Sequence, residues 1–382
     1  MKILYITTKA DYGGVQTHII QCASYMLQKG NEVMVMAHPG GRDGLFEREI
    51  KKIGINFFPN IFLRNSFNPL WGLLAIIKIQ KTVKDFKPDI VSLHSSAAGF
   101  WGRLAIRNKV PTIFTAHGWG FTEGVSKVKA MIIRSAEKIV ASFCKKIICV
   151  SDNDAQLAKK YKIIDLKDLL VIHNGTDLSL KNKLPNLQIF SSREGIIPVV
   201  VNGSRLSHPK KPEQVLEVFS KLPDYLKEKA EMFIIGEGEK RILLEKNIKN
   251  SNLEERVHLL GALPLGEYLS FLKYLREKYS SRIFVLISEY EGFPRGILEA
   301  MDFGFAIIAS DVGGIREVVT KDVGFLIKRN DLVELDRVLR VFLENPMQIT
   351  EFGFNAEERI RNNFPLEKML QATLKVYESV LL

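Results

Sequence analysis

The sequence is poor in cysteine, lacks long apolar runs and lacks the small motifs that announce a zinc ion or a dinucleotide. Three cysteines occur in 382 residues: Cys22, Cys144 and Cys149. They form no Cys-x-x-Cys pair, and none is expected to share a metal with a histidine. Their neighbours are apolar, so buried reduced thiols and a cytosolic compartment are expected, not a disulfide scaffold or a zinc site. No uninterrupted apolar run approaches the roughly 20 residues that cross a bilayer. The opening segment 1–6 is too short for a signal-peptide core. The absence of G-x-G-x-x-G removes the dinucleotide fingerprint, and there is no low-complexity tract or short-period repeat.

What is present is an ordinary globular composition, 46% hydrophobic and 25% charged, over a length that suggests two domains, each able to build its own core. The formal net charge of +11 is unevenly spread. Residues 1–190 carry 27 Lys and Arg against 14 Asp and Glu, whereas residues 191–382 carry 27 against 29. A basic half beside a near-neutral half points to a polyanionic partner on one side only: nucleic acid, an anionic membrane surface or an anionic substrate. Solubility alone would explain the sign of the charge but not its asymmetry.

Apolar strand-length runs alternate with helical stretches along the whole chain. Strands are expected at 3–8, 32–37, 53–58, 90–93, 112–115, 146–150 and 170–172, then at 197–202, 232–235, 257–260, 283–287 and 306–309. Helices at 331–345, 348–361 and 366–381 close the chain. This alternation implies an α/β protein with two doubly wound, Rossmann-like parallel sheets. The polar stretch 178–195, with Pro185, reads as a linker. The domains are therefore placed at 1–185 and 186–365, with the C-terminal helix 366–382 able to pack back on the first.

In open α/β sheets ligands bind at the carboxyl ends of the strands, so residues just past those ends are the candidates. In the first half these are Gly13-Gly14, His94, His117-Gly118, Ser151 and Asn174 to Asp177. The diglycine permits close backbone approach before a helix N-terminus that favours an anion. Of the two histidines, His117 beside Gly118 and Trp119 is the stronger candidate. Asp152-Asn153-Asp154 has the spacing of a metal-ligand pair, but it opens a helix, where N-capping is the expected job. Helix 124–146 carries Val125, Val128, Ile132, Ala136, Ile139 and Phe143 on one face and Lys127, Arg134, Lys138 and Lys145 on the other. Its apolar face is expected to meet the core. Its basic face, with the apolar segment that begins at Pro69, is expected to form a patch for an anionic membrane over 69–87 and 124–146.

The second half holds the most informative stretch, Ser288 to Ala300. Glu291 sits in a strand-to-helix turn and Glu299 about two helical turns further on. An ionised carboxylate is a pure acceptor, and sugar hydroxyls donate. Arg205 and Lys210, just past another strand, can hold a pyrophosphate between them. Gly313-Gly314 can offer backbone N–H groups to a phosphate or sugar. Two acids and two bases suit a ligand with hydroxyls and phosphates, such as a sugar nucleotide. With the cationic pair neutralising a leaving diphosphate, no metal is expected.

Read together, these residues resemble the retaining glycosyltransferases of family four, whose GT-B architecture sets two facing Rossmann-like domains about a cleft. The resemblance spans nearly the whole chain. It is carried by Glu291-Gly292-Phe293-Pro294 through Glu299, which match the family's paired-glutamate motif with seven residues between, and by the following Ser310 to Val319. Arg205 with Lys210, Gly13-Gly14, His117-Gly118, Asn174-Gly175 and Gly236-Glu237-Gly238 match its other landmarks. The resemblance implies that Glu291, with backbone N–H groups of Phe293 and its neighbours, contacts the donor sugar and that Glu299 accepts from the ribose. Arg205 and Lys210 would stabilise the departing diphosphate, Gly14 would let its loop close over the phosphates, and His117 would lie by the donor sugar and acceptor. Catalytic roles thus fall to His117, Arg205, Lys210 and Glu291. Donor contacts fall to Gly13, Gly14, Arg205, Lys210, Gly236, Glu291, Gly292, Phe293, Pro294 and Glu299.

The implied reaction is metal-independent transfer, with retention, from a UDP-linked sugar, with no other cofactor. Front-face displacement and a covalent route through Glu291 both remain open. The segment Thr115 to Gly124 resembles bacterial surface-polysaccharide transferases of the family, which implies a glycan or polyprenyl-diphosphate-linked acceptor at the inner face of the cell membrane. A GT-B sugar-nucleotide epimerase and a basic nucleic-acid-binding protein are the alternatives. The second lacks any stacking platform of aromatics among its basic residues. Ser204, Ile287 and Asp302-Phe303 depart from the common pattern, and Arg295 is a candidate for donor or acceptor choice unless it is solvated.

Overall fold

The computed structural model describes residues 1–8, 13–39, 44–177, 184 and 195–382. The turn residues 9–12 and most of the expected linker lie outside that set. The chain divides into two compact units, one of Met1–Asn174 with Glu367–Leu382 and one of Gly175–Leu366.

The first unit holds β1 (Lys2–Ile6), β2 (Glu32–Ala37), β3 (Asn56–Pro59), β4 (Ile90–His94), β5 (Thr112–Ala116), β6 (Lys146–Cys149) and β7 (Leu169–Val171). They lie side by side in the order β3-β2-β1-β4-β5-β6-β7, with every pairing parallel. β4 and β5 are buried at every position, as expected where helices cover both faces of a parallel sheet. The strand order reverses between β1 and β4, which makes their carboxyl ends the switch point where ligands bind in such sheets.

The second unit repeats the plan with β8 (Ile197–Arg205), β9 (Ala230–Glu237), β10 (Val257–Gly261), β11 (Ile283–Leu286), β12 (Ala306–Ser310) and β13 (Gly324–Ile327). Their order is β10-β9-β8-β11-β12-β13, again wholly parallel. The switch point lies between β8 and β11. β13 is absent from the sequence-based expectations. It is a four-residue edge strand that opens on Gly324, and a side chain there would sit 2.0 Å from the Ile307 carbonyl.

The Lys127–Ala141 helix corrects the expected orientation. Its inward residues are Glu137, Val140 and Ala141. Val128, Ile132 and Ile139 point outward, at 65%, 61% and 65% exposure. The physical cause is Glu137, which interrupts the inward stripe. It is buried because Arg103, from the Ser96–Ile106 helix, pairs with it at 2.6 Å and stacks 4.2 Å over Phe114. The Pro69–Phe86 helix buries Gly72, Ala75 and Ile79 and exposes Leu70, Leu73 and Ile77. Gly72 lies so close to Trp101 that a Cβ would stand 2.3 Å from the indole, which brings the Pro69–Phe86 and Ser96–Ile106 helices together. No helix among the described residues is long and apolar enough to cross a membrane.

Candidate active site

At the switch point of the second unit, the segment after β8 is zipped to the segment after β11. Lys210 bridges antiparallel to Ser288, Lys211 N–H donates to Ile287 O at 2.8 Å, and Glu289 N–H donates to Pro209 O at 3.0 Å. This backbone pairing sets the Lys210 ammonium directly on the Glu291 carboxylate, both side chains being nearly buried. Around the pair, Lys240 Nζ donates to Lys210 O and to Glu213, each at 2.7 Å. Lys211 pairs with Glu289 at 2.9 Å. Two residues expected to meet on a ligand therefore meet each other.

Arg205 ends β8 with an exposed side chain. The Gly236-Glu237-Gly238 turn closes on it from β9. Glu237 O accepts from Leu206 N–H at 2.9 Å, and a Cβ on Gly238 would stand 2.3 Å from Leu206 O. Gly236 has φ +128°, which favours glycine.

Pro294 caps the Arg295–Asp302 helix, so Phe293 lies just before it, buried against Phe364. Gly292 O accepts from Gly314 N–H at 3.0 Å. That hydrogen bond corrects one expectation, since the Gly314 N–H is committed to the loop and is not aimed at a phosphate. Gly313 has φ +49° and lies against the Glu291 carbonyl, 1.9 Å from where a Cβ would stand. The diglycine thus serves close packing of the Glu291 loop.

Glu299 is buried one turn into that helix. Burial pushes its carboxyl up to about 7, against the pull of Arg295, while Asp302 adds to the rise. Arg295 is not solvated. It is 7% exposed, lies 3.5 Å from Glu299 and reaches Gly175 O at 3.4 Å. Its role as partner of Glu299 was not apparent in the sequence, although the four-residue spacing in a helix was a usable signal.

In the first unit, Thr8 and Ser95 join the ends of β1 and β4 through their hydroxyls at 3.0 Å. Gly13 is the extended N-cap of the Gly14–Gln28 helix, with no side-chain cap. In the same unit three histidines converge: His94 ends β4, His117 follows β5 and His18 comes from the Gly14–Gln28 helix. Their ring centroids are 4.8–5.5 Å apart. His94 Nδ1 and His117 Nε2 are 3.0 Å apart, and His18 Nδ1 lies 3.0 Å from Asn174 Oδ1. Burial, with His18 adding to it, holds His94 well below the usual histidine range. Among the described residues, ring nitrogens of the three lie within 4.8 Å of one another, a spacing that could hold a metal ion.

His94, His117 and Asn174 thus come together as strand-end candidates. His18, on a helix, is not among the candidates read from the sequence, although its four-residue spacing from Cys22, whose Sγ lies 3.6 Å from His18 Nε2, was a usable signal. Ser151 does not join them. It caps the Asp152–Lys160 helix by accepting from Asp154 N–H at 3.1 Å. The cap is therefore Ser151 and not the Asp152-Asn153-Asp154 triplet. Trp119 anchors the loop after His117 by donating its indole N–H to Asp154 O at 2.9 Å.

With this geometry in view, the likeness to known proteins is specific. The family profile "Glycosyl transferases group 1" matches residues 192–363, and that of "Glycosyltransferase Family 4" matches residues 12–180. An Escherichia coli UDP-Gal:alpha-D-GlcNAc-diphosphoundecaprenol alpha-1,3-galactosyltransferase is 30% identical over 333 residues, 80% of this chain and 81% of the relative. An Escherichia coli O-antigen biosynthesis glycosyltransferase is 26% identical over 86% of each chain. Among solved structures, the Anabaena HepE protein in complex with UDP and glucose superposes with a TM-score of 0.79 at 20% identity, over 99% of this chain and 100% of that one. That likeness shows the shared GT-B fold. The two matched profiles, the galactosyltransferase likeness and the paired switch points converge on one conclusion: the chain belongs to the family-four glycosyltransferases and is a GT-B glycosyltransferase.

Proposed function

We propose that the protein transfers a sugar from a UDP-sugar, with retention and without a metal, to a lipid-diphosphate-linked glycan in bacterial surface-polysaccharide synthesis, working as a cytoplasmic enzyme held at the inner membrane face. The observation that carries the reading is the Lys210–Glu291 pair at the β8/β11 switch point, with Glu299 buried on the helix beyond it. Lys210 and Arg205 would neutralise the diphosphate as the bond from the anomeric carbon to the phosphate oxygen breaks. Glu291 would accept from the sugar hydroxyls, assisted by Gly292, Phe293 and Pro294, and Glu299 would accept from the ribose. Gly13, Gly14 and Gly236 would allow close backbone approach to the donor. A carboxylate neutralised by an ammonium is a weak nucleophile. That favours a front-face reaction, in which the leaving phosphate oxygen takes the acceptor's proton as the new glycosidic bond forms. The likeness to a UDP-Gal:alpha-D-GlcNAc-diphosphoundecaprenol galactosyltransferase supports the donor and acceptor classes.

A screen of UDP-, GDP- and ADP-sugars by thermal shift should select the UDP series, and transfer should survive EDTA. Proton NMR of the product should show the donor's anomeric configuration. An inverted product, or activity abolished by EDTA and restored by a divalent cation, would sink this reading.

Membrane attachment has its own support. Leu70, Leu73, Ile77, Val128, Met131, Ile132 and Ile139 are all exposed apolar residues, and Lys81, Lys84, Lys127, Lys129 and Lys138 are exposed cations of the same two helices. Basic and apolar residues together suit an anionic lipid surface. The triple change Val128→Ser, Ile132→Ser, Ile139→Ser is expected to weaken binding to phosphatidylglycerol vesicles at least about 100-fold by cosedimentation, since each residue forfeits apolar burial. The fold should be unaffected, because these side chains are exposed. Undiminished vesicle binding would exclude this surface.

A further inference from the structure

A chain of hydrogen bonds runs through the interior of the first unit and ends on His117. It starts at Tyr377 in the Leu366–Ser379 helix, whose phenol donates to Ser92 Oγ at 2.7 Å. Ser92 Oγ lies 3.0 Å from His94 Nε2, and His94 Nδ1 lies 3.0 Å from His117 Nε2. Tyr377, Ser92 and His94 are all within the core.

Valence sets the proton positions along it. Burial keeps the Tyr377 phenol protonated, and its hydrogen bond to Ser92 Oγ makes it the donor there. Ser92 Oγ receives that proton, which leaves its own O–H for His94 Nε2. An imidazole whose Nε2 accepts from Ser92 is neutral and carries one N–H. With Nε2 accepting, the proton is on Nδ1 and points at His117 Nε2, which therefore accepts. His117 then carries its own proton on Nδ1. The opposite polarity would need Ser92 to donate to Tyr377 and Tyr377 to donate onward to the neighbouring Tyr5 phenol, against the Tyr377-to-Ser92 direction. His18 braces the assembly, its ring edge-on to His117 at 81° and its Nδ1 on Asn174.

We propose that Tyr377, Ser92 and His94 are positioning residues that lock His117 in its Nδ1–H tautomer, so that it meets the sugar hydroxyls as a neutral hydrogen-bond donor and not as a base. The inference rests on the reading that His117 lies by the donor sugar and acceptor. It gives the C-terminal helix, which re-enters the first unit 285 residues after Ser92, a task in the reaction.

Nitrogen–proton correlation spectra of the histidine rings in the full-length protein test the tautomer directly. His117 and His94 are expected to be protonated at Nδ1 and bare at Nε2. Ser92→Ala and Tyr377→Phe should mix the tautomers and lower kcat about tenfold with the donor KM unchanged, as for a misoriented group. His94→Leu should lose as much or more. His94→Asn, whose amide nitrogen can stand in for Nδ1–H, should recover most of the activity. A wild-type His117 protonated at Nε2 overturns the proposal. So does stoichiometric zinc that is lost in His94→Leu, because a metal would then replace the His94–His117 hydrogen bond. If His117→Ala turns over like wild type, the underlying reading fails and the proposal with it. If His117→Ala is impaired while Ser92→Ala and His94→Leu are not, the relay alone fails.

Discussion

Lys210→Met is expected to lower kcat/KM for the nucleotide sugar about 1,000-fold, at the upper end for loss of one preorganised charge-stabilising donor. Lys210 is more than a surface cation. Its main chain bridges to Ser288, its carbonyl receives Lys240 Nζ, and its ammonium rests on Glu291. A group so fixed needs little reorganisation when charge develops on the leaving diphosphate. Its removal also has a second consequence, because Glu291, with 13% of its side chain exposed, loses its ion-pair partner. The site then repels the diphosphate that it should hold. Adding Glu291→Gln to Lys210→Met should therefore restore part of the UDP affinity, although turnover stays low. Arg205→Met should cost less, because that side chain is exposed and solvent screens it. Calorimetric UDP titrations of the two single variants and the double variant would decide the matter. If Lys210→Met kept turnover within threefold of wild type, or if the double variant bound UDP no better than Lys210→Met, the assignment of Lys210 to the leaving group would fail.

The parallel sheets were legible because their strands are short apolar runs punctuated at each end, and the predicted 32–37 strand coincides with β2. The candidate residues were legible for a related reason. Each of Arg205, Lys210, His94, His117 and Glu291 follows an apolar run, and the structure places each at or shortly after a strand end. What each touches was not legible. Lys210 and Glu291 are 81 residues apart and meet because β8 and β11 are neighbours. The outward apolar face of the Lys127–Ala141 helix was misread because Glu137 hides the inward stripe, and its partner Arg103 lies on another helix. Gly313 and Gly314 looked like a phosphate cradle, whereas they pack the Glu291 loop. Tyr377 carries no local signal, and His18 carries only its spacing to Cys22. Their place beside His94 depends on how the first and last helices of the chain lie against the central strands β1, β4 and β5.

Glu299→Gln should raise the stability of the ligand-free protein while weakening its hold on the nucleotide. Burial holds the Glu299 carboxyl near 7, against 4.5 for an unperturbed glutamate. Between those values the native state retains a proton that the unfolded chain has released. The contribution to stability is therefore intact below the lower value and is lost as pH rises toward the upper one. By pH 8 the loss amounts to about 3 kcal/mol. Glutamine does not ionise, and its amide oxygen can still face Arg295. Variant and wild type should thus unfold alike in denaturant near pH 4.5, with the variant ahead by up to about 3 kcal/mol at pH 8. Binding moves the other way. Hydrogen bonds to a charged acceptor contribute about 1.5–3 kcal/mol, so loss of the carboxylate should weaken UDP about 10- to 100-fold at pH 8. The gap should narrow at pH 6, where the wild-type carboxyl is itself mostly protonated. Wild-type affinity should therefore climb more steeply between pH 6 and 8 than that of the variant, which follows only the ionisation of UDP itself. A stability difference independent of pH would show that Glu299 ionises normally, and an unchanged UDP affinity would remove it from the ribose.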